Sequence, residues 1–331
     1  MRDSVARRWL SAIALGALLA VTGCGGSDGG SSTSSGSASA KAAGTTLKVR
    51  VGFLPAFGTL PIHIAETKGF FKRNGLDVTT TEATDIATFA PALGRQYDFI
   101  HSTPVDFLTA ASRGIDIKAA VGVHATSKDV PNNAVVTNND SIHSIEDLKG
   151  KHVGVISLAG TGYQALRYIL QKHGIDKDQI DLTAVPLANQ ADQLKAGRID
   201  AASSAIPFWT PLVNSHYRIL FDPIVEASGH DSSIVGFLST SSKFAQAHPE
   251  AVPAMRKSIS EAIDWIRANQ TQARTELQNW LGVPAAVAKS APLPPFQATV
   301  TADDLKPWVD VVKTVGGLQN VPDANSLVVT P

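Results

Sequence analysis

Serine, threonine and glycine residues that could hold an anion occur in five short segments of the sequence, at 55–59, 101–103, 124–126, 157–163 and 203–209. None of these segments contains Arg or Lys. Hydroxyl groups, unpaired backbone N–H groups and helix dipoles can together bind an anion without a formal countercharge. This composition predicts an anion site made of neutral donors.

Seven residues form the predicted site for the anionic head group. They are Thr59, Ser102, Thr103, Ser157, Gly160, Thr161 and Gly162. The four hydroxyls from Ser102 onward are the leading hydrogen-bond donors, and the two glycines would let the backbone approach the ligand closely. Each of these residues could instead be an ordinary helix cap, and the sequence leaves that alternative open.

Aromatic residues in the same segments could form a wall around an organic tail. They are Phe57, Tyr163, Phe208 and Trp209. Trp209 is the first candidate, although it could instead fill a packed surface. An ammonium group on the ligand would need a nearby carboxylate, for which Asp85, Asp106 and Asp231 are the candidates. The sequence places none of the three convincingly, so an anion without an amine is preferred.

Other chemistries have less support in the sequence. Residues 160–165, GTGYQA, match a dinucleotide-binding fingerprint, but no acidic residue stands at 187–189, where the ribose would need one. The nine histidines form no HExxH or His-x-His pair, and Cys24 is the single cysteine, so we expect no metal and no cofactor. His101 and His124 could enter the site or be hydrogen-bonded structural residues. The 29 basic and 29 acidic residues leave no basic excess for a nucleic-acid partner.

From Thr46 onward the sequence alternates short β-rich runs with amphipathic stretches, which predicts an α/β fold of mostly parallel sheets flanked by helices. A strand at 47–55, for example, precedes a predicted helix at 62–75. Ligands of such sheets bind at the carboxyl ends of the strands, where the five segments lie. Residues 93–104 and 195–207 share a Gly-Arg helix end followed by a strand that opens with Asp. Either a duplication or a coincidence of similar turns explains this similarity.

The N-terminus has the features of an export signal. Residues 1–8 carry three arginines, and the apolar run at 9–21 is too short to span a bilayer. Residues 21–24, VTGC, resemble the lipobox of bacterial lipoproteins. We therefore expect 1–23 to be a lipoprotein signal peptide and Cys24 to be lipidated, with 24–45 as a flexible Gly/Ser-rich linker. An ordinary signal peptide with an incidental cysteine is the alternative.

Four segments of the chain resemble the extracytoplasmic solute-binding lipoproteins of ABC importers, in the group that binds nitrate, sulfonates and taurine. They are 51–78, 93–120, 145–175 and 194–209, and the most specific parts are GFFKRNGLDV and DLKGKHVGV. The resemblance implies a type II periplasmic-binding-protein fold with a ligand cleft between two lobes. Residues 46–135 and 235–331 would form lobe 1, and 136–234 would form lobe 2. The long C-terminal helices would pack on lobe 1.

The resemblance further implies the substrate-binding component of an importer, which captures a small organic anion and delivers it to the permease. An aliphatic sulfonate is preferred, and nitrate, taurine, a pyrimidine or thiamine precursor and an aromatic carboxylate are the alternative solutes. An enzyme on the same fold is the alternative class. A similar pyrimidine synthase family uses a cysteine-rich motif that this sequence lacks, so we expect a binding protein. We expect a monomer, held by its lipid on the extracytoplasmic face of the cell membrane.

Overall fold

A computed structural model describes residues 46–329 of the chain. The predictions about the signal peptide, Cys24 and the linker concern residues outside this range. Within it the chain forms one compact unit. The strands are β1 (Leu47–Phe53), β2 (Leu76–Glu82), β3 (Phe99–Ser102), β4 (Lys118–Ser127), β5 (Asn133–Thr137), β6 (His152–Val155), β7 (Asp181–Ala184), β8 (Ala201–Ala205), β9 (Arg218–Phe221) and β10 (Ser232–Thr240).

The strands form two five-stranded sheets, in the orders β2-β1-β3-β10-β4 and β7-β6-β8-β5-β9. One strand in each sheet runs against the other four. Strand β10 is antiparallel to β3 and β4, and β5 is antiparallel to β8 and β9. The sheets are therefore mixed, because the antiparallel strand of each comes from the part of the chain that crosses between them. Their matching order agrees with the internal sequence similarity.

The helices flank the two sheets. They are α1 (Leu60–Thr67), α2 (Phe70–Arg73), α3 (Phe89–Ala92), α4 (Pro104–Ser112), α5 (Gly160–Lys172), α6 (Leu187–Lys195), α7 (Trp209–Asn214), α8 (Pro223–Ser228), α9 (Ser242–Ala247), α10 (Ala251–Ala268), α11 (Gln270–Leu281), α12 (Ala285–Ser290) and α13 (Ala302–Thr314). No helix among these described residues is long and apolar enough to cross a bilayer.

Local sequence explains where several of these helices begin and end. Gly69 adopts a left-handed φ of 74°, so the predicted helix at 62–75 divides into α1 and α2 there. Thr301 opens α13 with a capping box, in which its hydroxyl and the Asp304 carboxylate exchange hydrogen bonds with each other's backbone N–H. The apolar stripe of α10, which includes Met255 and Ile259, is buried as its helical spacing predicts.

We refer to the part of the chain around the β2-β1-β3-β10-β4 sheet as the first lobe and to the part around the other sheet as the second lobe. The chain crosses between the sheets at 128–132 and returns through α8 before β10. All of β5 belongs to the second sheet and all of β10 to the first. Both changes of sheet thus occur a few residues before the boundaries expected at 135/136 and 234/235.

The lobes are packed together through shared hydrophobic clusters. One cluster contains Val51 of the first sheet and Val136 of the second, and the other contains Ile100 and Val153. Helix α10 packs on α1, α2 and β4 of the first lobe. Helix α13 contacts α4 as well as α5 and α8, so it bridges the lobes rather than packing on the first lobe alone.

Candidate functional site

A cavity of about 300 Å³ lies between the two lobes. It is lined by residues that follow the carboxyl ends of β1, β3 and β6, together with residues at the ends of β4 and β8. The volume is at the lower end of the range for small-molecule sites. This is the position that the alternation of strands and helices predicts for a ligand in α/β sheets.

The N-terminus of α5 opens into this cavity. No side chain caps the first turn, which follows Ala159, so the first backbone N–H groups have no partner within the helix. Gly160 has a φ of 80°, a conformation that favours glycine. Ser157 accepts a hydrogen bond of 3.2 Å from the Ala159 N–H, which leaves its own hydroxyl hydrogen free to donate. The helix start therefore offers several donors to a ligand.

A hydrogen-bonded chain joins the lobes beside this helix start. The Thr161 hydroxyl of α5 accepts a hydrogen bond of 3.1 Å from the backbone N–H of Val105 in α4. It also donates to the Thr103 hydroxyl over 2.8 Å, and Thr103 in turn donates to the Asp106 carboxylate. The hydrogens of Thr161 and Thr103 are thus engaged within the protein. These two residues line the cavity, but they are not free head-group donors as predicted.

Asp106 is the one charged side chain among the described residues that line the cavity. Its carboxylate is half-buried, and burial is the main cause that raises its pKa above the usual aspartate value. The hydrogen bond from Thr103 lowers that pKa, and the negative charge of Asp85 raises it further. The sequence names Asp106 as a candidate carboxylate without placing it, and the structure places it in the cavity.

Two buried histidines form one wall of the cavity. His101 and His124 are 4% and 5% exposed, and their ring centroids lie 5.9 Å apart. Both ring nitrogens of His101 and Nδ1 of His124 have no hydrogen-bond partner among the described residues. Burial lowers the pKa of His101 to about 4. Burial, together with the charge His101 would carry, lowers the pKa of His124 to about 3. Both imidazoles are therefore neutral near pH 7.

Two glycines make room for this pair. A Cβ atom at Gly58 would lie 2.4 Å from Nε2 of His124. A Cβ at Gly236 would lie 2.2 Å from Cε1 of His124 and 2.6 Å from Nε2 of His101. These distances are shorter than real contacts between such atoms allow, so the absence of side chains at both positions lets the imidazoles occupy the cavity wall.

Seven of the ten predicted ligand residues line the cavity. They are Phe57, Thr103, Ser157, Gly160, Thr161, Gly162 and Tyr163. The sequence analysis did not select Asn132 and Asn133, which also line it. Asn133 opens the first strand of the second sheet, and nothing in its sequence context distinguishes it from a residue that begins any strand.

Three predicted ligand residues lie elsewhere. Thr59 is fully buried, and its hydroxyl donates to the Leu54 carbonyl over 2.8 Å and accepts from the Ala56 N–H, so it holds the loop after β1. Ser102 faces β10, where it accepts a hydrogen bond of 2.8 Å from the Ser239 hydroxyl. Trp209 belongs to a hydrophobic cluster and is 6% exposed, so it is a core residue and not a wall of the cavity.

A buried carboxylate joins the two segments that connect the lobes. Asp222 accepts hydrogen bonds from the Thr126 hydroxyl at the end of β4 and from the Asn133 N–H at the start of β5. It also caps α8 by accepting from the Ile224 N–H over 2.7 Å. Burial raises the pKa of Asp222 to about 6, although these hydrogen bonds oppose the change. The cavity therefore lies beside connecting segments that a single side chain holds together.

The described residues offer no group of three or more His, Cys, Asp or Glu side chains arranged to hold a metal ion. The imidazoles of His101 and His124, the Asp106 carboxylate and the donors at the start of α5 suit a small polar organic molecule instead. Hydrogen bonds to neutral groups and one carboxylate would orient it.

A profile of the family described as NMT1/THI5 like matches residues 57–273, which is more than half of the chain. The chain belongs to the NMT1/THI5-like family. The crystal structure of the periplasmic aliphatic sulphonate binding protein SsuA from Escherichia coli has a TM-score of 0.73 to this chain at 18% identity. The alignment covers 86% of this chain and 92% of SsuA. This likeness shows the two-lobed periplasmic-binding-protein fold.

Two sequence relatives have names that state different functions. The bicarbonate-binding protein CmpA of Synechococcus elongatus is 26% identical over 305 residues, which cover 77% of this chain and 62% of CmpA. The 4-amino-5-hydroxymethyl-2-methylpyrimidine phosphate synthase THI13 of Saccharomyces cerevisiae is 23% identical over 239 residues, 66% of each protein. The chain thus spans less than two thirds of either relative. The family thus includes a protein named for binding and a protein named for synthesis, and the fold of this chain is that of the periplasmic binding proteins.

Proposed function

We propose that this chain is the solute-binding component of an ABC importer and that it captures a small organic anion, an aliphatic sulfonate first, outside the cytoplasmic membrane. The observation that carries the proposal is the uncapped start of α5, which opens into a cavity between two lobes. The captured solute would pass to the permease subunits. The protein would act as a monomer without a cofactor.

Helix α5 has 13 residues, so its N-terminus carries a substantial positive end of the helix dipole. Its free N–H groups and the Ser157 hydroxyl supply neutral donors of the kind that sulfonates and carboxylates accept. Among the described residues that line the cavity there is no Arg or Lys. The names of the neighbouring proteins agree with an anion, since SsuA is called a sulphonate-binding and CmpA a bicarbonate-binding protein.

The names of SsuA and CmpA, which are binding proteins, favour binding without turnover over catalysis. In many enzymes a base forms a hydrogen bond with the nucleophile that it activates. His101 and the Nδ1 atom of His124 have no hydrogen-bond partner among the described residues, so neither takes part in such a pair there. The synthase named among the relatives keeps an enzyme as the second candidate.

A ligand screen tests the proposed function. The Cys24→Ser variant would be titrated with ethanesulfonate, nitrate, bicarbonate, an aminopyrimidine and benzoate, with thermal unfolding as the readout. A ligand at 100 times its Kd should stabilise the fold by about 2.7 kcal/mol. Stabilisation by a sulfonate, with that molecule recovered unchanged, supports the proposal. Conversion of the ligand to a product would establish an enzyme. Stabilisation by the aminopyrimidine alone would make a pyrimidine, and not a sulfonate, the proposed solute.

The proposed location depends on Cys24, the single cysteine of the chain. We propose that the signal at 1–23 is removed and that lipid on Cys24 anchors the protein, with 24–45 as the linker. The chain without substitution, which would carry the lipid on Cys24, should enter the detergent phase of membrane extracts, and Cys24→Ser should move the protein to soluble or unprocessed fractions. A Ser27→Ala variant, three residues further on, is the matched control and should stay in the detergent phase. Unchanged partitioning of Cys24→Ser would rule out the anchor.

A further inference from the structure

The basic residues of the first lobe are concentrated at one end of its sheet. Five segments lie at the amino ends of β1, β2, β3 and β4 and at the carboxyl end of the antiparallel strand β10. They share the end of the sheet opposite the cavity, which lies at the carboxyl ends of β1 and β3. We call this surface the amino-end face, and its segments are 46–50, 70–77, 93–98, 113–118 and 241–250.

Hydrogen bonds hold neighbouring segments of the amino-end face together. The backbone N–H of Leu47 donates to the Gly75 carbonyl over 3.0 Å, which joins the start of β1 to the end of α2. The Asp116 carboxylate accepts from the backbone N–H groups of Ser242 and Lys243, which joins the loop before β4 to the segment after β10. The side chains of these segments therefore form one surface.

The amino-end face is basic, although the chain as a whole is not. Its five segments contain eight Lys or Arg residues and four Asp or Glu residues. Residues 128–231, which contain the second lobe, carry nine basic and twelve acidic residues. The charge of the molecule is therefore asymmetric, and its positive end lies on the side of the first lobe away from the cavity.

Five basic side chains of this face can meet an external partner. Two others are already paired, since Arg50 lies 2.7 Å from Asp98 and Arg73 lies 3.8 Å from Glu261. The five are exposed, and they form no ion pair among the described residues. They are Lys48, Lys72, Arg95, Arg113 and Lys243.

The described part of the chain begins on this same face. Thr46 is its first residue, and Cys24, the proposed site of the lipid, lies 22 positions earlier in the sequence. A Gly/Ser-rich chain of this length has a root-mean-square reach of about 25 Å. A lipid on Cys24 would therefore keep the amino-end face close to the bilayer and raise its effective concentration there.

We propose that the amino-end face docks on the anionic phospholipid headgroups of the membrane that holds the lipid anchor. The negative potential of such a surface attracts each nearby Lys or Arg, and the attraction decays within a Debye length. In the docked orientation the cavity faces away from the membrane, and repulsion keeps the acidic second lobe off the surface. This inference depends on the proposed anchor at Cys24 and not on which solute the cavity binds.

Energy transfer to a headgroup-labelled lipid tests the docking. In the processed protein the lipid occupies Cys24, the single cysteine, so a cysteine introduced by Gln96→Cys or Gln171→Cys can be labelled alone. Gln96 is exposed on the amino-end face, and Gln171 is exposed in the last turn of α5 in the second lobe. Each labelled protein would be placed in phosphatidylcholine vesicles, with and without about 30% phosphatidylglycerol.

Phosphatidylglycerol should increase the energy transfer from the label at position 96 and should not increase it from the label at position 171. The increase should disappear in about 0.5 M KCl, where the Debye length is only a few ångströms. Its loss would show that charge, and not the tether alone, brings the amino-end face to the bilayer.

Removal of lysines tests which surface makes the contact. The triple variant Lys48→Gln, Lys72→Gln and Lys243→Gln should weaken docking about 100-fold, because each charge contributes about fivefold. The matched control removes three exposed lysines of the second lobe that form no ion pair among the described residues, and it should keep the response to phosphatidylglycerol. Its substitutions are Lys149→Gln, Lys177→Gln and Lys195→Gln.

The outcomes separate the docking surface from the anchor. No increase with phosphatidylglycerol, an increase that survives high salt, or an equal loss in both triple variants overturns the surface. A processed protein without lipid overturns the anchor, and flotation of that protein with the same vesicles then tests the surface. Flotation should require phosphatidylglycerol together with Lys48, Lys72 and Lys243, and flotation that needs neither overturns the surface as well. None of these measurements depends on the solute, so the ligand screen is decided separately.

Discussion

His101 and His124 should make the fold sensitive to acid, because both imidazoles are buried in their neutral form. The pKa is about 4 for His101 and about 3 for His124 in the folded protein, against about 6.5 in an unfolded chain. Between the folded and the unfolded pKa values, the unfolded chain binds more protons than the folded protein. The contribution of each neutral histidine to the free energy of unfolding is therefore complete above pH 6.5 and is lost as the pH falls. Each histidine should cost about 3 kcal/mol of unfolding free energy between pH 7 and pH 4, as measured by urea unfolding.

Asp222 acts in the opposite direction. Its folded pKa of about 6 lies above the ordinary aspartate value, so its carboxyl takes up a proton in the folded state first and adds stability as the pH falls below 6. The acid response of the histidines is therefore read as a difference between variants. His101→Gln and His124→Gln should each flatten the loss of stability below pH 6.5. His143→Gln, at an exposed position, should leave it unchanged. A loss of the same size in all three variants would contradict the buried-histidine explanation.

The residue types in the sequence are enough to predict that the start of α5 belongs to the site. They are not enough to predict which way every side chain points. Gly160, Gly162 and Ser157 could be predicted because a strand, a Gly-rich turn and a helix follow one another. Ser102 could not be placed, since the facing of a strand-end side chain depends on the neighbouring strand, which here is β10 from far along the chain. Asp106 is ambiguous for a related reason. A carboxylate in the first turn of a helix is ordinary capping chemistry, and only the second lobe makes it part of a cavity.

At the scale of the elements, two glycines leave the space that the imidazoles occupy. Gly58 lies in the loop before α1, and Gly236 lies in β10. Gly58→Ala would place a methyl group 2.4 Å from the His124 ring, and such overpacking should cost about 1–3 kcal/mol in thermal or urea unfolding. His124→Ala should remove the obstruction. The double variant should therefore be no less stable than His124→Ala alone, which makes the coupling measurable by a double-mutant cycle.

Gly122 provides the control for this cycle. Its Cβ would lie 2.2 Å from the backbone oxygen of Thr299, so Gly122→Ala should also destabilise the fold. The obstructing atom is backbone and not His124, so His124→Ala should not rescue it. Rescue of both glycine variants by His124→Ala, or of neither, would show that the imidazole does not occupy the space beside Gly58.

The order of the elements is more predictable than their pairing. Helix α10 and strand β1 follow from periodicities of 3.6 and 2 that each element carries in its own residues. The antiparallel positions of β5 and β10 depend on contacts between segments about 70 residues apart for β5 and β8 and about 110 residues apart for β10 and β4, and no local sequence pattern indicates them. The break between α1 and α2 at Gly69 is not predictable from the local sequence either, because one glycine within an apolar pattern is compatible with a continuous helix.

At the scale of the whole molecule, two sets of polar contacts near the cavity connect the lobes. Asp222 joins the connecting segments, and the chain from Val105 through Thr161 to Thr103 joins α4 to α5 across the cleft. The first holds the lobes at the points where the chain crosses. The second holds them at the mouth of the site, so it is formed only while the two lobes stay close together.

Thr161→Val should therefore shift the protein toward a more open arrangement. Valine keeps the shape of threonine but removes the acceptor of the Val105 N–H and the donor to Thr103, and an unpaired buried N–H costs about 1–3 kcal/mol. Because an open arrangement lets water reach that N–H, the variant should show a larger radius of gyration in small-angle scattering without ligand. When the lobes of this variant close on the ligand, the Val105 N–H is again buried without an acceptor. The affinity for the ligand should therefore fall about tenfold. Thr161→Ser keeps the hydroxyl and should match the unsubstituted protein in both measurements. If Thr161→Val also matches it, this contact does not hold the lobes together.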